Sequence, residues 1–163
     1  MSTFTSTVPG AVTTLYGYMT AVAAASTVLD VQAYVGLQLT PSPNFMMIGD
    51  AETGLLVTPV DSEWASMGAA AKRRTERYAL QGCIKCWAGG IDWQSRLNDV
   101  TSLLDALQEQ ILSDPGGNGT LTPSGSWGAF NWRMEANGPL GDPAGWGVLL
   151  GFELQVINAQ IVG

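Results

Sequence analysis

The chain of 163 residues contains no histidine, only two cysteines and few charged side chains. Without histidine it lacks the residue that most often serves as a general base and as a zinc ligand. Two cysteines do not make a disulfide framework, and no apolar run reaches the ~20 residues that a membrane span needs. A signal peptide requires a basic N-terminal region, yet no lysine or arginine precedes Lys72. We therefore expect a cytosolic protein without a membrane segment.

Charge is scarce and unevenly distributed. Charged residues make up 13% of the chain, hydrophobic residues 46%, and the formal net charge is −7. An acidic balance argues against a general nucleic-acid binder, whose affinity comes from basic side chains at phosphates. Four of the basic residues, called here the basic cluster, are Lys72, Arg73, Arg74 and Arg77. On an acidic protein such a cluster indicates a contact with a partner or a second copy more often than a DNA site.

Residues 75–113 organise the predicted fold. Residues 75–87 alternate apolar and polar side chains, which is typical of a half-buried strand, and Ala88-Gly89-Gly90 ends the alternation. Asp92 can cap a helix that follows and that ends at Asp114-Pro115. This helix carries an apolar stripe at spacings of three and four, formed by Trp93, Leu97, Val100, Leu104, Leu107 and Ile111.

The remaining predicted elements are a helix and four strands, at residues 9–26, 31–37, 45–49, 126–137 and 146–161. Residues 1–7 are expected to be a loose N-terminus, and residues 50–74 a long interaction loop between the second and third strands. The sequence thus predicts one α+β domain over residues 1–163, in the order α-β-β-β-α-β-β. Its five-stranded, mostly antiparallel sheet carries both helices on one face.

The first predicted helix contains no charged residue. A helix on the surface of a soluble protein normally carries some charge. Two interpretations remain open: the helix packs deeply on the sheet, or its outer face of Thr, Ala and Gly meets another subunit.

Two patterns suggest chemistry without establishing it. Cys83 and Cys86 match C-x-x-C, but positions three apart in a strand point to opposite faces, so we interpret them as structural thiols. Asp61 and Glu63 have no apolar pocket that would raise a carboxyl pKa. They are either solvated charges or the acidic complement to the basic cluster of a neighbouring copy. No nucleotide-binding or nucleophile motif occurs, and we predict no catalytic residue, cofactor or metal.

Three stretches of the chain carry a family resemblance. The first joins VPGAVTTLYGYMTAVAAAS to VQAYVGLQL, and the second is SEWASMGAAAKRRTERYALQGCIKCWAGGID. The third runs from LLDALQEQILSDPGGNGTLTPSGSWGAFNWRME to GPLGDPAGWGVLLGFELQV. Together they resemble the tail terminator proteins of long-tailed siphovirus phages, particularly those of actinobacterial hosts. The turn Ala88-Gly89-Gly90 is less polar than the usual turn of that family.

The resemblance implies an α/β sandwich and a structural, non-enzymatic role in the virion, after assembly in the host cytoplasm. Such proteins form a hexameric ring that caps the tube of major tail protein, stops its polymerisation and docks head-completion or connector proteins. Phage DNA passes through the ring without sequence-specific binding. The alternative is another neck or tail-tube subunit, such as a head-closure or tube protein. A third hypothesis is a small soluble enzyme or redox protein that uses Cys83 and Cys86.

Ring closure is heterologous, so one surface of each subunit meets a different surface of the next. Charge and loop position, rather than matched motifs, select the residues predicted to form the subunit or partner interface. They are Asp61, Glu63, Trp64, Lys72, Arg73, Arg74 and Arg77.

Overall fold

The described residues of the chain form two helices and six strands. The computed structural model describes residues 5–39, 41–58, 61–66, 72–88, 93–117, 121, 125–137 and 146–162. The helices are α1 (Val8–Ala25) and α2 (Trp93–Ser113). The strands are β1 (Val31–Val35), β2 (Asn44–Ile48), β3 (Asp61–Ser66), β4 (Lys72–Ala88), β5 (Gly125–Asn137) and β6 (Trp146–Val162). The predicted α+β class with two helices is confirmed, but the sheet has six strands rather than five.

The sheet has the spatial order β1-β2-β4-β6-β5, with β3 paired to β4. β4 and β6, each 17 residues long, pair along their full length and form the centre of the sheet. At about 3.4 Å per residue this ribbon of backbone is nearly 60 Å long. The predicted antiparallel character holds for each pairing described except that of β1 with β2.

β1 and β2 are parallel, and the connection between them explains why. After β1 the chain returns to the beginning of that strand, so that residues 41–43 lie beside it. There the Ser42 amide donates to the Tyr34 hydroxyl at 3.0 Å. The Ser42 hydroxyl also donates to the carbonyl of Asp30. β2 therefore begins at Asn44, which pairs with Val31 at the start of β1, and the two strands run in the same direction.

The prediction of a long loop at residues 50–74 is wrong. β3 occupies residues 61–66, and β4 begins at Lys72 rather than Thr75. Before β3, the amide of Asp50 donates to the Leu55 carbonyl at 2.9 Å, which closes a tight loop. Val57 then bridges Leu80 in antiparallel fashion. Consequently β2, residues 56–58 and β3 follow one edge of β4, while β6 pairs with the other edge.

The core lies on one face of the sheet. The central strands bury Tyr78, Leu80, Ile84 and Cys86 from β4, and Val148, Leu150, Phe152, Leu154 and Val156 from β6. Both helices pack against these side chains, through Ala11, Leu15, Met19 and Val22 of α1 and Val100, Leu103, Leu104, Leu107 and Ile111 of α2. The stripe predicted for α2 is thus confirmed where the structure describes it. The side chain of Trp93, the Asp92 cap and residues 138–145 lie outside the described part.

Gly82 allows an aromatic ring to lie flat on the middle of β4. Phe152 is its register partner on β6, and a Cβ atom at Gly82 would stand 2.2 Å from the Phe152 ring. Phe130 stacks on the other side of that ring, with centroids 5.2 Å apart. A side chain at position 82 would therefore displace this aromatic pair.

Candidate interaction surface

All seven residues predicted for an interface lie on the hairpin of β3 and the first part of β4. The register pairs Asp61 with Arg77 and Trp64 with Arg74. On the other edge of β4, Lys72 pairs with Val162 and Arg77 with Ile157 of β6. We call this three-stranded end of the sheet the ribbon, formed by residues 61–66, 72–77 and 157–162. The side chain of Trp64 lies outside the described part.

One face of the ribbon carries a contact between two predicted interface residues of the same chain. Nη1 of Arg77 lies 3.8 Å from Oε2 of Glu63, and both side chains are largely exposed. Such a surface pair contributes about 0–1 kcal/mol. The acidic residues expected to meet the basic cluster of a neighbouring copy therefore lie beside that cluster within one chain.

The opposite face of the ribbon contains a buried carboxylate that the sequence analysis missed. Glu76 is 2% exposed, and its Oε1 accepts from the amide of Thr7 at 2.9 Å and from its hydroxyl at 2.8 Å. Its Oε2 accepts from Nη2 of Arg74 at 3.3 Å, while Nε of Arg74 donates to the Ser62 hydroxyl at 2.7 Å. Because a buried carboxylate requires partners of this kind, Glu76 fixes the start of α1 to the ribbon.

A sequence signal for Glu76 existed. Along β4, alternate positions from Tyr78 onward face the core, and Glu76 continues that alternation.

Tyr78 shares a hydrogen bond of 2.8 Å with the Thr7 hydroxyl. Burial, assisted by the charge of Glu76, raises the pKa of Tyr78 to about 12, against the lowering effect of that hydrogen bond. A carboxylate at a core-facing position was therefore a reason to expect a specific partner from another element.

The two cysteines lie on opposite faces of β4, as the alternation predicts. Cys86 belongs to the core beneath the helices, whereas Cys83 pairs with Met47 and faces the other way. Both thiols are free and buried, and burial raises the pKa of each to about 12. Because the thiolate is the reactive form, this geometry favours the interpretation as structural thiols. Among the residues that the structure describes, no group of three or more His, Cys, Asp or Glu side chains is arranged to hold a metal.

A second surface lies at the edge strand β1. Four large apolar side chains are exposed there, Leu29, Val35, Leu37 and Leu39, and we call this set the leucine edge. Leu39 is fully exposed and Leu29 is 80% exposed. β1 itself contains no charged residue. Edge strands are normally protected by charge, proline or a bulge, and among the described residues β1 contains none of the three.

The outer face of α1 continues this surface. Leu15 and Met19 are fully buried beneath the helix, while its uncharged outer positions are exposed, namely Thr13, Tyr16, Gly17, Thr20, Ala21 and Ala24. A groove of about 410 Å³ lies between α1 and β1. The structure thus confirms that one side of the uncharged helix packs on the sheet, and contact of its exposed outer face with another subunit stays a prediction.

Neither helix, within the described residues, is long and apolar enough to cross a membrane. No protein-family model matches this chain, and a comparison with curated proteins finds no similar sequence. The function therefore has to be argued from the residues and from the geometry of these two surfaces.

Proposed function

We propose that this protein is a structural subunit of a phage neck, a tail terminator. In this role six copies close into a ring on the end of the tail tube and stop the polymerisation of the major tail protein. The far side of the ring docks the head-completion or connector proteins. The resemblance of three stretches of sequence to tail terminators supports this proposal, as does the α+β fold with two helices on one face.

The observation that carries the proposal is the presence of two unlike surfaces on one small chain. The leucine edge is apolar, whereas the ribbon carries the basic cluster. A ring of identical subunits is built from contacts in which one surface meets a different surface of the next copy. The hypothesis of an enzyme that uses Cys83 and Cys86 is disfavoured, because both thiols are buried and burial raises the pKa of each to about 12.

We expect the exposed side chains of the leucine edge to be buried in an interface when the protein is assembled. Burying apolar surface contributes about 25 cal/mol per Å², and contiguous exposed apolar patches mark sites of interaction. The overall charge of −7 also suits the role, since it disfavours adhesion to DNA that passes through the ring. The protein then works in the virion neck, after assembly in the host cytoplasm, with neither a cofactor nor a membrane.

The first test is the mass of the purified protein by light scattering over a wide range of concentration, with negative-stain images of the same fractions. We expect a closed species of six subunits with a central hole. Open-ended tubes would favour the alternative, a tail-tube subunit. If free protein is monomeric, it is added to polymerising tail-tube protein, where the proposal requires a fixed tube length and an unchanged length distribution would contradict it.

Two matched variants test the leucine edge in the same assay. Leu29 and Leu112 are equally exposed, at 80%, but Leu29 lies on the leucine edge and Leu112 on α2. We expect Leu29→Lys to prevent ring closure and Leu112→Lys to leave it intact. Equal behaviour of the two variants would remove the leucine edge from the interface.

A further inference from the structure

We propose that the basic end of the ribbon of one copy docks on the leucine edge of the next copy, beside Asp30 and Glu52. This inference rests on the proposed self-assembly and names the two surfaces that meet. The occupant of the leucine edge is thus a second copy of the same chain.

The first argument is the distribution of charge. No basic residue precedes Lys72 in the sequence, so the charged residues of the segments that flank β1 and β2 are acidic, namely Asp30, Asp50 and Glu52. One cation, Lys85 of β4, also reaches this region, where it lines the same groove as Glu52 and leaves the local balance acidic. The exposed side chains of Lys72, Arg73 and Arg77 lie on the ribbon. Copies with a net charge of −7 repel one another unless positive groups face negative ones.

The second argument is that part of the basic cluster has no partner within its own chain. Glu76 is buried against Thr7 and Arg74, and Glu63 faces Arg77. By contrast, Lys72 and Arg73 take part in no ion pair within the described part of the chain. These two cations extend from the end of the ribbon and are free to meet a carboxylate of another molecule.

The third argument is distance. β1 joins the rest of the sheet through β2, which pairs with residues 82–85 of β4. Arg73 lies about ten residues further along that strand, or roughly 35 Å at the rise of an extended chain. The ribbon therefore does not reach the leucine edge of its own chain. A contact between the two surfaces joins different copies head to tail, and such contacts form a ring when the rotation from copy to copy closes.

The fourth argument is shape, because a groove lies on each side of the leucine edge. The groove of about 410 Å³ between α1 and β1 includes Asp30 in its lining. A groove of about 330 Å³ on the other face is lined by Leu37, Phe45 and Glu52 among others. Each groove thus combines apolar walls with a carboxylate, and in the second groove Lys85 lies there as well. Lysine and arginine fit such a place, since their aliphatic stems pack on apolar surface while the charged end reaches a carboxylate.

Disulfide trapping tests the contact directly. Variants Leu39→Cys/Arg73→Cys and Leu29→Cys/Arg73→Cys are oxidised with copper phenanthroline and analysed without reductant. A disulfide requires Cα atoms within about 7 Å, so these positions join only between copies. The native thiols Cys83 and Cys86 are buried and compete little. We expect a ladder of cross-linked chains from at least one edge position.

The matched control is Leu112→Cys/Arg73→Cys, which we expect to remain uncross-linked. Rings that form normally but yield no cross-link from either edge position would overturn the docking and leave the proposed function intact. Wild-type protein that fails to form rings, alone and on tail tubes, would contradict the proposed function and this contact together.

A charge exchange provides an independent test. Arg73→Glu is expected to weaken association by about tenfold or more, and Arg133→Glu, an exposed arginine on β5, is expected to leave it unchanged. Adding Glu52→Arg to Arg73→Glu is expected to restore a large part of the lost association, because the opposite charges then face each other again. Association of the Arg73→Glu variant at the wild-type level would exclude Arg73 from the interface.

Discussion

The two halves of β4 share one backbone ladder but are stabilised by different interactions. In the apolar half of β4 (residues 78–86), alternate side chains are buried in the core beneath both helices. In the polar half (residues 72–77), the same positions carry Arg74 and Glu76, which hold Ser62 and the start of α1 by hydrogen bonds. β6 pairs with both halves without interruption. Backbone pairing thus sets the length of the strand, and side-chain chemistry divides it into an apolar half and a polar half.

The two halves of β4 also differ in how much their side-chain interactions contribute to the free energy of unfolding. Burial of large apolar side chains contributes about 1.5–3 kcal/mol each, whereas an intramolecular hydrogen bond contributes about 0.5–1.5 kcal/mol net. Changes in the apolar half should therefore lower global stability, and changes in the polar half should act mainly on local order and assembly.

The largest effect is expected for Leu104→Ala. Leu104 is 3% exposed and belongs to the core cluster that covers the apolar half of β4. Loss of its side chain leaves a cavity and should reduce the free energy of unfolding by about 2–5 kcal/mol. Urea denaturation followed by circular dichroism measures this change, and a loss well under 1 kcal/mol would mean that α2 does not pack as described.

Alanine substitutions at two glycines, Gly82 and Gly151, distinguish the effect of close packing from the effect on the backbone. Gly82→Ala should cost about 1–3 kcal/mol, because the new methyl group meets the ring of Phe152. Gly151, also on the central ladder, is the control, since a Cβ atom there meets nothing within 4 Å. The two variants are compared by urea denaturation, and equal costs would show that the ring does not lie on Gly82.

Glu76→Gln tests the polar half. The glutamine amide lacks the negative charge of the carboxylate, whose oxygens accept hydrogen bonds from Thr7 and Arg74. The free energy of unfolding of the variant should therefore fall by about 1–2 kcal/mol. Hydrogen exchange should accelerate at the first turn of α1, as read by NMR or mass spectrometry. Glu63→Gln, which touches only an exposed ion pair, should change stability by less than about 1 kcal/mol. Unchanged exchange at α1 in Glu76→Gln would show that the carboxylate does not anchor the helix.

Alkaline pH provides the most gradual effect. Burial raises the pKa of Cys83 and Cys86 from 9.0 to about 12 in the folded protein. Their contribution to stability is complete below pH 9 and is lost as the pH rises toward 12, because only the unfolded chain deprotonates easily in that range. The slope is at most about 1.4 kcal/mol per pH unit for each thiol.

Urea midpoints at pH 8, 9 and 10 measure this slope, and a Cys83→Ala/Cys86→Ala variant should show a shallower one. The tyrosines Tyr18 and Tyr78, whose pKa burial raises to about 12 from 10.0, begin to contribute only above pH 10. Equal slopes for the variant and the wild type below pH 10 would contradict the burial of the thiols.

The sequence predicted the apolar half of β4 and α2 well, because both bury one face and so show regular periodicity. β3 was missed for a physical reason. Its residues Asp61-Ser-Glu-Trp-Ala-Ser66 show no apolar alternation, and the strand exists because β4 supplies a hydrogen-bonding partner. The parallel pairing of β1 with β2 likewise depends on a connection whose path no local pattern reveals.

The structure brings the predicted interface residues together, and their role in an interface stays a prediction. Charge alone selected the basic cluster, and the hairpin brings its members together with Asp61 and Glu63. The leucine edge was not predicted, since the exposure of Leu29 and Leu39 depends on where β1 lies in the sheet. The buried position of Glu76 depends in the same way on α1, a distant segment that covers it.

The long pairing of β4 with β6 has a consequence for the speed of folding. Its partners, from Ala88 with Trp146 to Lys72 with Val162, stand about 60 to 90 residues apart in the chain. Closing such long loops costs entropy before any contact is gained. A sheet whose central ladder is so non-local is expected to fold in milliseconds to seconds rather than microseconds. During that interval the apolar face of β4 is open to wrong partners, so newly made chains should aggregate more readily than finished subunits.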